Sequence, residues 1–330
     1  GNTGALWYHL VTTMFFPASQ PRRRLALQRM AWLCAALVLV IASLSAFIRL
    51  SRAGQGCEPW PQCQGVAAAE AAQPGLGDSV AMARMGHRVV ASTTLLLVLA
   101  MAGLALASGT TLRAEARLAL VLLGLALFLA VLGRWSGQSR LPAVTLGNLL
   151  GGFAMFAVSV RLALVAGRTG AAGQRPVSAP WLGVATVLAW VQVALGGLVS
   201  AGQAGLSCPA LGACDWRAGS WQALDPWVMP AIDVLPTHSE GALVHMLHRW
   251  SGMALTLVLL VLAWQAWRLG RRAVAAWLVV LPVLLVGLGL VQVWLRLPLP
   301  LVLAHNAAAA LLLAVLMGMG LRRPRHAAPW

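Results

Sequence analysis

The sequence predicts an all-α integral membrane protein of eight transmembrane helices, built as two tandem four-helix bundles related by a pseudo-two-fold axis along the membrane normal. Three observations predict it. Of the 330 residues, 60% are hydrophobic and only 10% charged, whereas a soluble domain carries roughly 25% charged residues. The mean hydropathy of +0.79 agrees. The chain contains eight apolar runs long enough to cross a bilayer. Finally, a set of chemically distinctive residues recurs in the same order in its two halves.

The predicted spans are 30–49, 80–107, 115–134, 141–166, 181–200, 241–267, 272–295 and 299–321. Most connections are short and contain Gly, Pro or Arg. Two are long, 50–79 and 201–240. Pro142 and Pro300 stand where helices start, and a first turn tolerates proline because its N–H would be unpaired anyway. The expected units are an N-terminal cytoplasmic segment 1–29, a four-helix half 30–166, a linker 167–180, a second half 181–321 and a tail 322–330. Arg22-Arg23-Arg24 ahead of an apolar run reads as a retained first helix rather than a cleaved signal. Met14 reads as the natural start, so the residues before it read as an added leader.

The net charge is +16 and every basic residue is arginine. Such a balance can signal nucleic acid, but these arginines sit in short loops between apolar runs, and no nucleic-acid module is present. The partner they imply is the lipid surface. Eight spans put both termini on one side. With that side cytoplasmic, fifteen arginines lie inside and nine outside, as the positive-inside rule expects. The expected location is the bacterial inner membrane, with both long cysteine-bearing loops outside.

The internal repeat pairs Arg52-Ala-Gly-Gln-Gly-Cys57 with Ala201-Gly-Gln-Ala-Gly-Leu-Ser-Cys208. It also pairs Met85-Gly-His87-Arg88 with Met246-Leu-His248-Arg249, and Asn148 with His305. The separations are 151, 161 and 157 residues. Four helices per half preserve orientation, so the repeat is parallel.

Each long loop carries a Cys-x5-Cys pair, Cys57 with Cys63 and Cys208 with Cys214. Outside the membrane such pairs form disulfides. They read either as structural staples or as thiols that exchange with a donor. Cys34, inside the first span, reads as a small apolar residue.

Ionisable residues inside spans point to function. His87, His248 and His305 lie in the outer leaflet of their spans, with His245 three residues before His248. Two imidazoles on facing helices at one depth are what a heme iron needs for its two axial positions. The alternative for each is a hydrogen bond to a neighbouring helix. His248 with His305, at repeat-equivalent depth, reads as the heme pair. Arg88 and Arg249 follow their histidines and can either snorkel to headgroups or pair with heme propionates. Arg49, Arg52, Arg84 and Arg134 lie at the same face and suggest a propionate rim. His245 reads as a supporting polar group, a propionate contact or an alternative ligand. A quinol-linked b-type cytochrome would want ligands at two depths, which disfavours it.

With these residues in view, the chain resembles the heme A synthase family. The features that carry the resemblance are Arg49-Leu50-Ser-Arg-Ala-Gly54 leading into Cys57-Glu-Pro-Trp-Pro-Gln-Cys63, then His87-Arg88, Cys208 to Cys214, His248-Arg249 and His305-Asn306. The resemblance spans residues 30–321. It implies an oxidoreductase of cytochrome oxidase assembly that converts heme O to heme A by oxidising the C8 methyl to formyl. It also implies a heme b on His248 and His305, and a substrate site in the N-terminal half around His87 and the Cys57–Cys63 pair. A synthase that delivers heme O is the implied partner. The electron donor and a homo-oligomeric state carry no signature in the sequence.

Two positions depart from the family. Arg84 stands where the family has a glutamate one turn before His87, which reverses the charge and removes a candidate base. Asn148 stands where the family has a second histidine. The catalytic set is therefore His87 with Arg84 and Asn148, and either an open coordination position or a non-catalytic heme-binding or heme-transfer protein follows.

Overall fold

The computed structural model describes residues 20–52, 75–136, 141–167, 178–210, 212–229 and 237–319. Among these residues the regular structure is entirely helical. There are eight long helices: α1 (Gln20–Arg52), α2 (Leu76–Leu106), α3 (Arg113–Ser136), α4 (Pro142–Ala166), α5 (Ala179–Ala201), α6 (Ala242–Arg268), α7 (Arg272–Trp294) and α8 (Leu299–Met319). All eight are long and apolar enough to span a bilayer. Short 3-10 turns, among them Trp216–Ala218, Trp221–Leu224 and Ser239–Gly241, punctuate the connection between α5 and α6.

The predicted spans match these helices closely, apart from α1. It begins at Gln20, ten residues before the predicted start at 30. A hydropathy window finds only what lipid must cover, and Arg22, Arg23, Arg24 and Arg29 fall outside it. The extra turns are held by polar contacts instead. Arg24 pairs with Glu115 of α3 at 3.6 Å, and Arg23 donates to the Ala107 carbonyl and to the Ser108 hydroxyl, both at 3.2 Å.

Large apolar side chains point outward along the spans. Leu96 is 68% exposed, Leu257 65% and Val187 63%. In water so much exposed apolar surface would drive aggregation. In hydrocarbon it costs nothing, while helical hydrogen bonding satisfies the backbone. Pro282 lies inside α7, where its missing N–H leaves one helical hydrogen bond unmade.

α1 packs on α2 and α4, and α3 packs on both α2 and α4, so the first four helices close a ring. In the second half α5 meets α6, α6 meets α7, α7 meets α8, and α8 returns to α5. α4 also touches α5 and α8. It is the central helix: 56% of its apolar window is buried, against 22–33% elsewhere. Because lipid gives no hydrophobic drive between helices, close approach at small residues does the joining. A Cβ on Gly151 would come within 2.6 Å of Leu129 on α3, and one on Gly197 within 2.7 Å of Leu146 on α4. Gly152 of α4 and Gly287 of α7 do not share this role, since both face open space. Cys34 is fully buried and reduced, receiving a 3.4 Å contact from the Ser159 hydroxyl of α4.

Candidate heme site between helices six and eight

His248 lies six residues beyond Ala242 at the start of α6, and His305 six beyond Leu299 at the start of α8. At 1.5 Å per residue both stand about 9 Å inside their helices. α6 and α8 are not principal neighbours, so the two rings reach toward each other across the C-terminal bundle. Their centroids are 6.5 Å apart with planes inclined at 58°. A metal–nitrogen bond of about 2 Å plus about 1.1 Å from nitrogen to ring centre, on each side, spaces two imidazoles about 6.2 Å apart across one ion.

The surroundings fit a heme rather than a protein-only metal cage. Among the described residues no group of three or more His, Cys, Asp or Glu converges. Two histidines alone match the two axial positions left once a porphyrin fills the other four. Nδ1 of His248 and Nδ1 of His305 are both buried without a hydrogen bond. A glycine flanks each ring: a Cβ on Gly196 of α5 would lie 3.0 Å from Cε1 of His248, and one on Gly289 of α7 would lie 3.6 Å from Cε1 of His305. Replacing Gly196 with Val should push His248 off its position and strip heme from the purified protein while the helical circular dichroism stays unchanged. Full heme retention in that variant would remove Gly196 from the site.

His245 and Arg249 face the loop. Nδ1 of His245, which is buried, donates to the Ala204 carbonyl at 3.0 Å. The Arg249 guanidinium donates to the carbonyls of Cys208 at 2.6 Å and Ala210 at 3.1 Å. The sequence offered Arg249 a propionate or the headgroups; in the structure the guanidinium is turned to these two loop carbonyls. His238 uses both ring nitrogens, donating from Nε2 to the Gly202 carbonyl at 3.1 Å and accepting from the Gly241 N–H at Nδ1. Cys208 and Cys214 form a disulfide whose Cys208 sulfur lies 3.6 Å from the Ala242 carbonyl. Trp216 stacks edge-on against Trp250 with centroids 5.3 Å apart. Trp221 and Trp227 remain exposed. The same connection reaches the other half, where the Pro226 carbonyl accepts from the Ala143 N–H at the start of α4.

In the N-terminal half, His87 is half-buried on α2 and Asn148 half-buried on α4. Asn148 stands six residues beyond Pro142, the same depth as His248 and His305. Like α6 and α8, α2 and α4 are not principal neighbours. Arg84 and Arg88 present exposed side chains, as does Arg134. Of the rim arginines whose side chains are described, Arg49 is half-buried, and its Nε is enclosed without a hydrogen bond among the described residues. Cys57 and Cys63 lie outside the described residues.

The sequence reading missed Gln192 and Ser251. Gln192 of α5 places its side-chain Nε2 3.3 Å from Nε2 of His248. The Ser251 hydroxyl makes a short hydrogen bond to Oε1 of Gln192 and lies 3.1 Å from the His248 carbonyl. The one available signal was a lone glutamine within an apolar run.

An eight-span helical protein with a half-buried histidine pair facing across one bundle has the make-up of a polytopic membrane heme protein. The comparison with known proteins narrows this. Residues 28–317 match the family described as Cytochrome oxidase assembly protein, and the chain belongs to that family. A heme A synthase of Shewanella oneidensis is 31% identical over 310 residues, covering 84% of this chain and 91% of the relative. Heme A synthases of Maricaulis maris and Rhodospirillum centenum match shorter stretches, at 33% over 129 residues and 30% over 179. They cover 38% and 50% of this chain, and 36% and 45% of their own lengths, respectively.

Proposed function

We propose that this chain is a heme A synthase-like membrane oxidoreductase that converts heme O to heme A for cytochrome oxidase biogenesis. The carrying observation is the His248–His305 pair at 6.5 Å, joined to the likeness to a heme A synthase across most of both chains. His248 and His305 hold a heme b in the C-terminal half, and His87 holds the substrate heme O in the N-terminal half. Bound iron supplies electron transfer and oxidation chemistry that side chains lack. The protein's part is to place the ligands, exclude water and balance charge.

Arg49 is the favoured propionate partner of the N-terminal half, because a guanidinium whose enclosed Nε makes no hydrogen bond among the described residues gains most from a carboxylate. Arg249 serves the C-terminal heme indirectly, by tying the disulfide loop to the helix that carries His248. The arginine bias supports a bacterial inner-membrane protein with cytoplasmic termini and outer cysteine loops. A heme O-delivering synthase and an electron donor complete the proposed partners.

A second reading, heme binding or transfer without oxidation, draws on the exposure of Arg84 and on Asn148 in place of a second ligand. Co-expression with a heme O source, followed by acid extraction and chromatography of the hemes, decides between them. Heme A in the extract is the expected result. Heme B and unmodified heme O alone would favour the carrier.

A further inference from the structure

We propose that Gln192 is a placeholder for iron on His248, a positioning residue that fills the ligating nitrogen while the site holds no heme and withdraws when heme enters. This rests on His248 being an axial ligand, as proposed above.

An amide nitrogen can only donate, so the 3.3 Å contact from Gln192 requires Nε2 of His248 to accept. A neutral imidazole has one donor and one acceptor nitrogen. Nε2 therefore carries the lone pair and Nδ1 the proton. That is the tautomer iron needs for ligation through Nε2. The lone pair is a single in-plane orbital, so Gln192 and iron cannot use it together.

The amide is held in place. The Ser251 hydroxyl has one proton and donates it to Oε1 of Gln192. The 3.1 Å approach of the same oxygen to the His248 carbonyl is then a second contact rather than a second donation. Gly252 leaves room for the amide, since a Cβ there would stand 3.0 Å from Nε2 of Gln192. Ser251 and Gly252 of α6 thus seat the Gln192 amide of α5 against Nε2 of His248. Nδ1 remains a buried donor without a partner, so the capped state is not fully satisfied. Such a contact orients the ring and fixes its tautomer, and remains weak enough to be displaced.

The test uses the full-length chain in detergent, expressed in heme-deficient cells, with hemin as the probe and the Soret band as the signal. Gln192→Leu keeps the volume and removes the donor. It should take up hemin about two- to tenfold faster than the wild type, the factor expected when a net hydrogen bond no longer has to break. The reduced end-point spectrum should be that of the wild type. Ser251→Ala, which frees the amide from its anchor, should accelerate uptake by a smaller factor and guards against misfolding of the first variant. Acceleration together with a wild-type end-point spectrum separates release of the amide from damage to the site. Uptake at the wild-type rate or slower in both variants would overturn the proposal. So would the reverse amide orientation, in which Nε2 is protonated and Gln192→Leu gives no acceleration. Failure of the underlying reading looks different: the wild type itself would show no bis-histidine spectrum, or one that survives His305→Ala.

Discussion

His305→Ala should abolish the bis-histidine b-type spectrum of the purified protein, and His248→Ala should do the same. The two rings approach from different helices across the bundle, with centroids 6.5 Å apart. No third described His, Cys, Asp or Glu joins them in a metal-binding group. His245 is the nearest candidate substitute on α6, yet its Nδ1 is committed to the Ala204 carbonyl and its side chain is buried among loop contacts. Swinging the His245 ring from the loop to the place of a missing ligand would break that buried hydrogen bond. The low-spin absorption should therefore be lost rather than shifted. Fold loss is not expected, since Leu312, Leu313 and Leu316 anchor α8 in the core beyond the histidine. Unchanged helical circular dichroism with a vanished b-type band is the predicted outcome. A band of wild-type shape in either variant would displace the pair from its assigned role.

The sequence showed some layers of this structure and hid others, for physical reasons. Span positions were legible because hydrocarbon forces every backbone group into helical hydrogen bonds and every lipid-facing side chain to be apolar. The histidine pair was legible because an imidazole in an apolar run has few reasons to be there. α1's extra turns were hidden: Arg23 is held by the α2–α3 connection and Arg24 by Glu115 of α3, which no local pattern reveals. Arg249 was legible as a cation beside His248, but its direction was not. A long side chain reaches several acceptors, and tertiary packing chose the Cys208 and Ala210 carbonyls. Gln192 and Ser251 were hidden most completely, because their meaning lies in the register of α5 against α6. The glycine pairs split for the same reason: in Gly196-Gly197, one residue faces His248 and the other faces α4.

His87→Ala should end heme A formation while leaving the b-type spectrum of the C-terminal half in place. The proposed chemistry is divided between two sites at the same end of the bundle, and the only imidazole offered by α2 and α4 is His87. Its side chain is half-buried, whereas those of Arg84 and Arg88 are exposed on the same helix. Asn148 stands six residues into α4, level with the C-terminal ligands, but a carboxamide is a weak ligand to iron. Without His87 the N-terminal half keeps no strong iron donor among the described residues of these two helices. Arg84→Ala, by contrast, should change heme A yield little, because its side chain is exposed where that of His87 is half-buried. The comparison separates a site residue from a surface residue one helical turn apart. Heme A at wild-type yield from His87→Ala would place the substrate elsewhere. Loss of the b-type band in the same variant would mean that the halves do not act as independent sites. The expected pair of results, heme A absent and the b-type band intact, assigns oxidation to the first half and resident heme to the second.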